Sequence, residues 1–134
     1  MTDTDPRTGL AVTHRRYVPY SHAHYGGALV DGAYVLAMFG DVATELCIRT
    51  DGDEGLFAGY EQVSFLAPVR AGDVLEATAT LTRVGSRSRT VEFRAQVVCR
   101  ATPESSASSG QLLPDPLVVT TATGTVVVPG SSTR

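Results

Sequence analysis

The chain contains no lysine: all 11 of its cationic side chains are arginine, against 14 acidic ones, for a net charge of −3. Without lysine there is neither a Schiff-base nucleophile nor a phosphate loop of the Walker type. With a net negative charge there is no broad basic surface for nucleic acid or an anionic membrane. Cysteine is scarce, at two residues. Cys47 and Cys99 stand outside any C-x-x-C pair and read as small buried apolar residues of a reducing compartment. No apolar run approaches the ~20 residues of a membrane span. The polar start MTDTDPRTG carries no apolar signal region, so a cytoplasmic address is expected. Metal ligands are sparse as well. His22 and His24 can share one side of an extended segment, but no third ligand stands at a recognisable spacing. Asp51-x-Asp53 lacks the other positions of a calcium loop and reads as a helix-ending turn.

What is present is enough for one domain with a real core: 134 residues, 43% of them hydrophobic and 19% charged. Residues 1–10, polar and containing Pro6 and Gly9, read as a flexible leader, and Thr13–Tyr20 as a short strand or an extended arm. After Gly26-Gly27 the pattern predicts a helix from about Leu29 to Ile48. One face of it is small (Ala33, Leu36, Ala37, Gly40, Ala43, Thr44, Cys47) and another holds Asp31, Tyr34, Met38, Asp41 and Glu45. A helix apolar nearly all round is expected to be central and buried. Carboxylates on such a helix are costly, and so become candidates for chemistry. The alternative for Asp41 and Glu45, a solvent-facing patch or ion pairs with Arg15, Arg16 or Arg49, stands beside it.

Strand signals follow over Leu56–Val69, Val74–Val84, Arg89–Arg100 and Val118–Val128. Their period of two predicts antiparallel strands with one covered face. Gly85-Ser86-Arg87-Ser88 marks a hairpin, and the Ser/Pro-rich 102–116 a mobile loop. One early helix and then a run of antiparallel strands implies an α+β layer in which about five strands wrap one long central helix. That is the layout of the hot-dog fold. Leu66-Ala67-Pro68-Val69-Arg70-Ala71-Gly72-Asp73 resembles the apolar-x-Pro-Val-x-x-Gly-Asp turn of hot-dog enzymes acting on acyl thioesters.

Further blocks narrow the resemblance: Ala23-His24-Tyr25-Gly26-Gly27, Leu29-Val30-Asp31-Gly32-Ala33, Phe39-Gly40-Asp41-Val42-Ala43-Thr44-Glu45-Leu46 and Asp51-Gly52-Asp53-Glu54-Gly55-Leu56-Phe57, with Ala122-Thr123-Gly124 near the C-terminus. Together they resemble the β-aminoacyl-CoA ammonia lyases, the family of the β-alanyl-CoA and 3-aminobutyryl-CoA enzymes. Two positions depart from the family pattern, which places Asn at position 28 (here Ala28) and Arg at position 34 (here Tyr34). The resemblance implies reversible elimination of ammonia from a β-aminoacyl-CoA to give an enoyl-CoA. It needs no cofactor beyond the coenzyme A of the substrate, and no Ala-Ser-Gly tripeptide is present to build the prosthetic group of aromatic ammonia lyases. It also implies a homodimer with the site between subunits, and a trimer of dimers beyond that.

The chemistry requires a base at the α-carbon, a partner for the enolate oxygen and a path for the amine. Glu45 is expected as the base and Asp41 as its partner or as an amine-binding anion, the two one helical turn apart and raising each other's proton affinity. His24 is expected to shuttle a proton or orient the thioester, and Tyr25 to wall the pocket or hydrogen-bond the substrate. Gly26 and Gly27, leading into the first helical turn, are expected to bring free N–H groups to the enolate. Asp31 and Tyr34 lie near the substrate, although the resemblance makes Asp31 dispensable as a catalyst. Arg83, Arg87 and Arg89 around the hairpin are candidates for the CoA phosphates. Glu45 stands ~24 Å along the helix from its start, so either a partner subunit supplies the base or the first-turn amides, or one of the two is not catalytic. A hot-dog thioesterase, an enoyl-CoA hydratase and a non-catalytic acyl-thioester binder are the competing readings.

Overall fold

The computed structural model describes residues 5–130. The strands are β1 (Ala11–Tyr17), β2 (Leu29–Val30), β3 (Leu56–Phe65), β4 (Val69–Arg70), β5 (Val74–Val84), β6 (Ser88–Ala101) and β7 (Gly110–Val127), with one long helix, α1 (Gly32–Asp51). Five strands form an antiparallel sheet in the order β1-β5-β6-β7-β3, while β2 and β4 pair separately. Alternation fixes the faces. Leu75, Ala77, Ala79 and Leu81 of β5 and Val91, Phe93, Ala95 and Val97 of β6 are buried against the helix side, and the intervening polar residues face outward. The layout is the hot-dog arrangement.

Helix α1 starts three residues later than its pattern suggests. Leu29 and Val30 are drawn into pairing with Arg70 and Val69, so the helix opens only at Gly32. It closes at Gly52, which takes the left-handed φ of 65° and donates its N–H to the Ile48 carbonyl at 2.9 Å. Val35, Met38, Phe39, Val42 and Leu46 are fully buried. The helix is not covered all round, however. Ala33, Ala37, Asp41, Thr44 and Ile48 are exposed, so the expected small-residue face is split: Ala33, Ala37 and Thr44 turn outward, while Ala43 and Cys47 are buried in the core.

Two expected mobile segments are largely structured. Within the leader, residues 1–4 lie outside the described residues, but Arg7 bonds Asp5 and Asp51, and the Gly9 N–H donates to the Leu81 carbonyl at 2.8 Å. The Ser/Pro-rich loop is confined to residues 102–109. Strand β7 already begins at Gly110, and its prolines, Pro114 and Pro116, fall in an irregularity between the pairs Cys99↔Leu112 and Val97↔Leu117. There the ladder does not require their missing N–H groups.

The turn after β3 explains its own motif. Asp73, fully buried, accepts the Arg70 N–H at 2.8 Å and both Nε and Nη2 of Arg100 at 2.9 Å. Gly72 takes φ 91°, and a Cβ there would sit 2.7 Å from the Tyr20 hydroxyl. Strand β3 is an edge, with Leu56, Phe65 and the following Leu66 exposed. It carries a bulge. Between the pairs Glu61↔Thr123 and Ser64↔Thr121, two β3 residues face one of β7, and Gln62 adopts a left-handed φ of 57°. Tyr60 and Phe65, five residues apart, would lie on opposite faces of a plain strand. The bulge lets both point at the helix, Tyr60 donating to the Leu36 carbonyl and Phe65 resting on Gly32.

Candidate active site

The N-terminus of α1 opens into a cavity of about 490 Å³ lined by Tyr25, Val30, Asp31, Gly32, Ala33, Val35, Phe65, Ala67, Val69 and Thr120. Most of this lining is apolar, and Asp31 is its sole carboxylate. Asp31 occupies the N-cap position, yet its side chain makes no capping hydrogen bond, so both oxygens are available. The Asp31 carbonyl receives the Tyr34 N–H at 3.3 Å, whereas the N–H groups of Gly32 and Ala33 precede the first intrahelical bond and have no helical acceptor. The site therefore sets a free carboxylate beside two free amides at the positive end of a 20-residue helix. Gly32 is required for its shape: a Cβ there would lie 2.4 Å from Phe65 Cε1.

The other carboxylates of α1 are engaged elsewhere. Asp41 is largely exposed and bonds Arg16 of β1 at 3.0 Å. Glu45 is bonded by His14 Nε2 at 2.7 Å and Arg49 Nε at 2.8 Å. The His14 hydrogen bond first, and Arg49 second, hold the Glu45 carboxyl below its ordinary pKa. The two groups thus do not share a proton as their spacing suggested; each is hydrogen-bonded by basic side chains, His14 and Arg16 of the edge strand β1 and Arg49 of α1. The expectation of buried helix carboxylates is corrected by the same geometry, because β1 leaves this side of the helix open to water. Cys47 is no alternative nucleophile, since burial pushes its thiol up to about 11.

Tyr25, 57% exposed, stands at the cavity mouth with its ring against His24 at 4.6 Å. His24 itself is exposed, and its backbone N–H bonds the Leu29 carbonyl. Gly26 and Gly27 do not open the helix as expected. With Ala28 they form a separate 3-10 turn, and β2 intervenes before α1, so the amides at the cavity belong to Gly32 and Ala33. Ala28 takes φ 61°, a left-handed conformation that Asn tolerates better than Ala, which matches the Asn of the family pattern. Tyr34 is buried beneath the Arg16 guanidinium (5.6 Å) and the His22 ring (4.7 Å), and does not line the cavity.

The three hairpin arginines divide. Arg83 and Arg87 are exposed. Arg89 is 5% exposed and locked to Asp51 by bonds of 2.7 and 3.0 Å, with Nη1 on the Gly85 and Ser88 carbonyls. A phosphate role for Arg89 is therefore corrected: its donors are consumed inside the fold. Its sequence parity foretold this, because Arg89 is in phase with the buried Val91, Phe93, Ala95 and Val97. Among the cavity residues the sequence reading missed, Phe65 carries no signal and Thr120 a subtle one. Thr120 shares the even parity of Ala122, Gly124 and Val126, the helix-facing side of β7. Among the described residues, no group of three or more His, Cys, Asp or Glu side chains is placed to hold a metal ion, and no helix is long and apolar enough to cross a membrane.

The thioesterase superfamily matches residues 27–103. The 3-aminobutyryl-CoA ammonia lyase of Acetoanaerobium sticklandii is 50% identical over 112 residues, 84% of this chain and 89% of that protein. The β-alanyl-CoA:ammonia lyase of Clostridium propionicum superposes at a TM-score of 0.85 with 35% identity, over 90% of this chain and 86% of that one. A hexameric hot-dog-fold thioesterase of Campylobacter jejuni shares the fold alone, with a TM-score of 0.72 and 18% identity over 89% and 83% of the two chains. These likenesses define a hot-dog protein of the thioesterase superfamily. Within that class the chain belongs to the family of the β-aminoacyl-CoA ammonia lyases.

Proposed function

We propose that this carbon–nitrogen lyase reversibly eliminates ammonia from 3-aminobutyryl-CoA, or a close β-aminoacyl-CoA, at the helix N-terminal cavity. The observation that carries this reading is the unpaired Asp31 carboxylate in an apolar cavity beside two free helix amides. Against the expectation from the resemblance that this position is dispensable, Asp31 removes a proton from C2 of the acyl group. The enolate oxygen accepts from the Gly32 and Ala33 N–H groups, which the helix dipole reinforces. As the C2=C3 double bond forms, the C3–N bond breaks and its electron pair leaves with the ammonia. The proton held on Asp31 then converts ammonia to ammonium, restoring the carboxylate. Asp41 and Glu45 stand about 15 and 21 Å further along the helix axis. On this reading they clamp β1 to α1 rather than touch substrate.

The coenzyme A moiety requires cations that this cavity lacks. Arg83 and Arg87 sit on the hairpin by the helix C-terminus, as the Arg89–Asp51 pair shows, roughly 30 Å along α1 from the cavity. They can serve the phosphates only from a second protomer. The exposed edge β3 and the small outward face of α1 are suited to receive that protomer, with larger assemblies such as the trimer of dimers built from it. The test is turnover of 3-aminobutyryl-CoA followed by mass. Release of ammonium with an intact crotonyl thioester supports the lyase. Free CoA thiol would mark a thioesterase, and hydration of crotonyl-CoA without ammonium a hydratase.

A further inference from the structure

Resting on the lyase reading, we propose that Thr120 positions the departing amine: its hydroxyl accepts a hydrogen bond from the substrate's C3 ammonium at the floor of the cavity. Exposure falls steeply across the cavity lining. Tyr25 and Phe65 are 57% and 58% exposed, Asp31 is half-buried, and Thr120 is 1% exposed. The first pair form the mouth and Thr120 the floor. The thioester sulfur, attached to the bulky nucleotide, must lie toward the mouth. C1 and its oxygen then fall at the Gly32 and Ala33 amides, and C3 with its amine falls deepest. The side chains that line the floor, Val30, Val35 and Val69, offer nothing to an ammonium.

Thr120 is held where it is by the ladder. It pairs directly with Phe65 across β3 and β7, while the Leu66 and Ala67 N–H groups bond the Val119 carbonyl next to it. Thr120 borders the cavity and is the polar side chain on this otherwise apolar floor. A substrate amine that reaches the floor meets its hydroxyl. The hydroxyl accepts from the ammonium while Asp31 takes the C2 proton, so the C3–N bond is held for departure and its lone pair receives the returned proton. Crotonyl-CoA has no amine, and its binding does not draw on this contact.

The experiment compares wild type with Thr120→Val, an isosteric loss of the hydroxyl, and Thr120→Ser, which keeps it. Hydrogen bonds to charged groups are strong enough that Thr120→Val is expected to lower kcat/KM for 3-aminobutyryl-CoA roughly 10- to 100-fold. Crotonyl-CoA binding, followed by calorimetry on the same preparations, is expected to stay within about twofold, and Thr120→Ser to restore most of the activity. Unchanged turnover in Thr120→Val overturns the proposal, as does an equal loss of crotonyl-CoA affinity. Wild-type protein that releases no ammonium would instead refute the lyase reading itself, before any variant is compared.

Discussion

Replacing Arg89 by Met removes a buried charge that makes four side-chain hydrogen bonds. The guanidinium holds Asp51 through two bonds and the Gly85 and Ser88 carbonyls through two more, all of 3.0 Å or less. Its loss leaves the Asp51 carboxylate, 8% exposed, with only Arg7 and Thr50 as partners. Breaking one side of a buried ion pair costs about 3–5 kcal/mol. Because Arg7 stays in place at 2.9 Å, about 3 kcal/mol is expected here, or roughly 10 °C in Tm for a domain of this size. Urea unfolding and calorimetry read the change. The double variant Asp51→Leu/Arg89→Met removes both charges and is expected to recover most of the loss. The effect also carries a pH signature. Burial pushes the Asp51 carboxyl up, but the bonds from Arg89 and Thr50 outweigh it, so the folded-state pKa lies below the ordinary value. The pair's contribution is then complete above about pH 4 and fades as pH falls through the folded-state value, narrowing the gap between wild type and Arg89→Met in acid. A loss below about 1 kcal/mol at pH 7 would refute the reasoning, because it would place Asp51 in solvent.

Three further outcomes are expected. Glu45→Gln weakens contacts to His14 and Arg49 that are partly or fully exposed and remote from the cavity, so kcat/KM for 3-aminobutyryl-CoA should stay within about threefold in a steady-state assay. Gly32→Ala drives a Cβ into the Phe65 ring, which is exposed enough to swing aside. Melting should therefore change by no more than about 1 kcal/mol while KM rises as the cavity narrows. Ala28→Asn suits the left-handed backbone at φ 61° and should stabilise the fold by about 1 kcal/mol in chemical denaturation.

Sheet and helix were legible where alternation or helical period ran unbroken. Leu75, Ala77, Ala79 and Leu81 predicted the buried face of β5 because each neighbour contrasts with it, whereas the buried stripe of α1, through Val35, Met38, Phe39, Val42 and Leu46, did not stand out from a helix that reads as apolar nearly all round. Boundaries set by distant partners were not legible. Leu29 and Val30 look helical, yet Val69 and Arg70, 40 residues away, capture them into a strand pair. Pro114 and Pro116 spell a loop locally, and only the register against β6 reveals that β7 runs through them with an irregularity. The site suffered most. A helical wheel groups Asp31, Tyr34, Asp41 and Glu45 but cannot show that β1 supplies His14 and Arg16 to the last two while Asp31 stays unpaired. Likewise the bulge at Gln62, which turns Phe65 onto Gly32, leaves no trace in hydrophobic pattern.

The central claim is that chemistry begins with proton removal by Asp31 at the helix N-terminus. Its most direct measurement is deuterium exchange at C2 of 3-aminobutyryl-CoA in heavy water, followed by mass alongside ammonium release, for Asp31→Asn and Glu45→Gln. The account predicts that Asp31→Asn loses both exchange and ammonium release by roughly 100-fold or more, as removal of a general base does, while Glu45→Gln keeps them. Exchange that survives Asp31→Asn and vanishes in Glu45→Gln would contradict it, and would move the base to the other end of the helix.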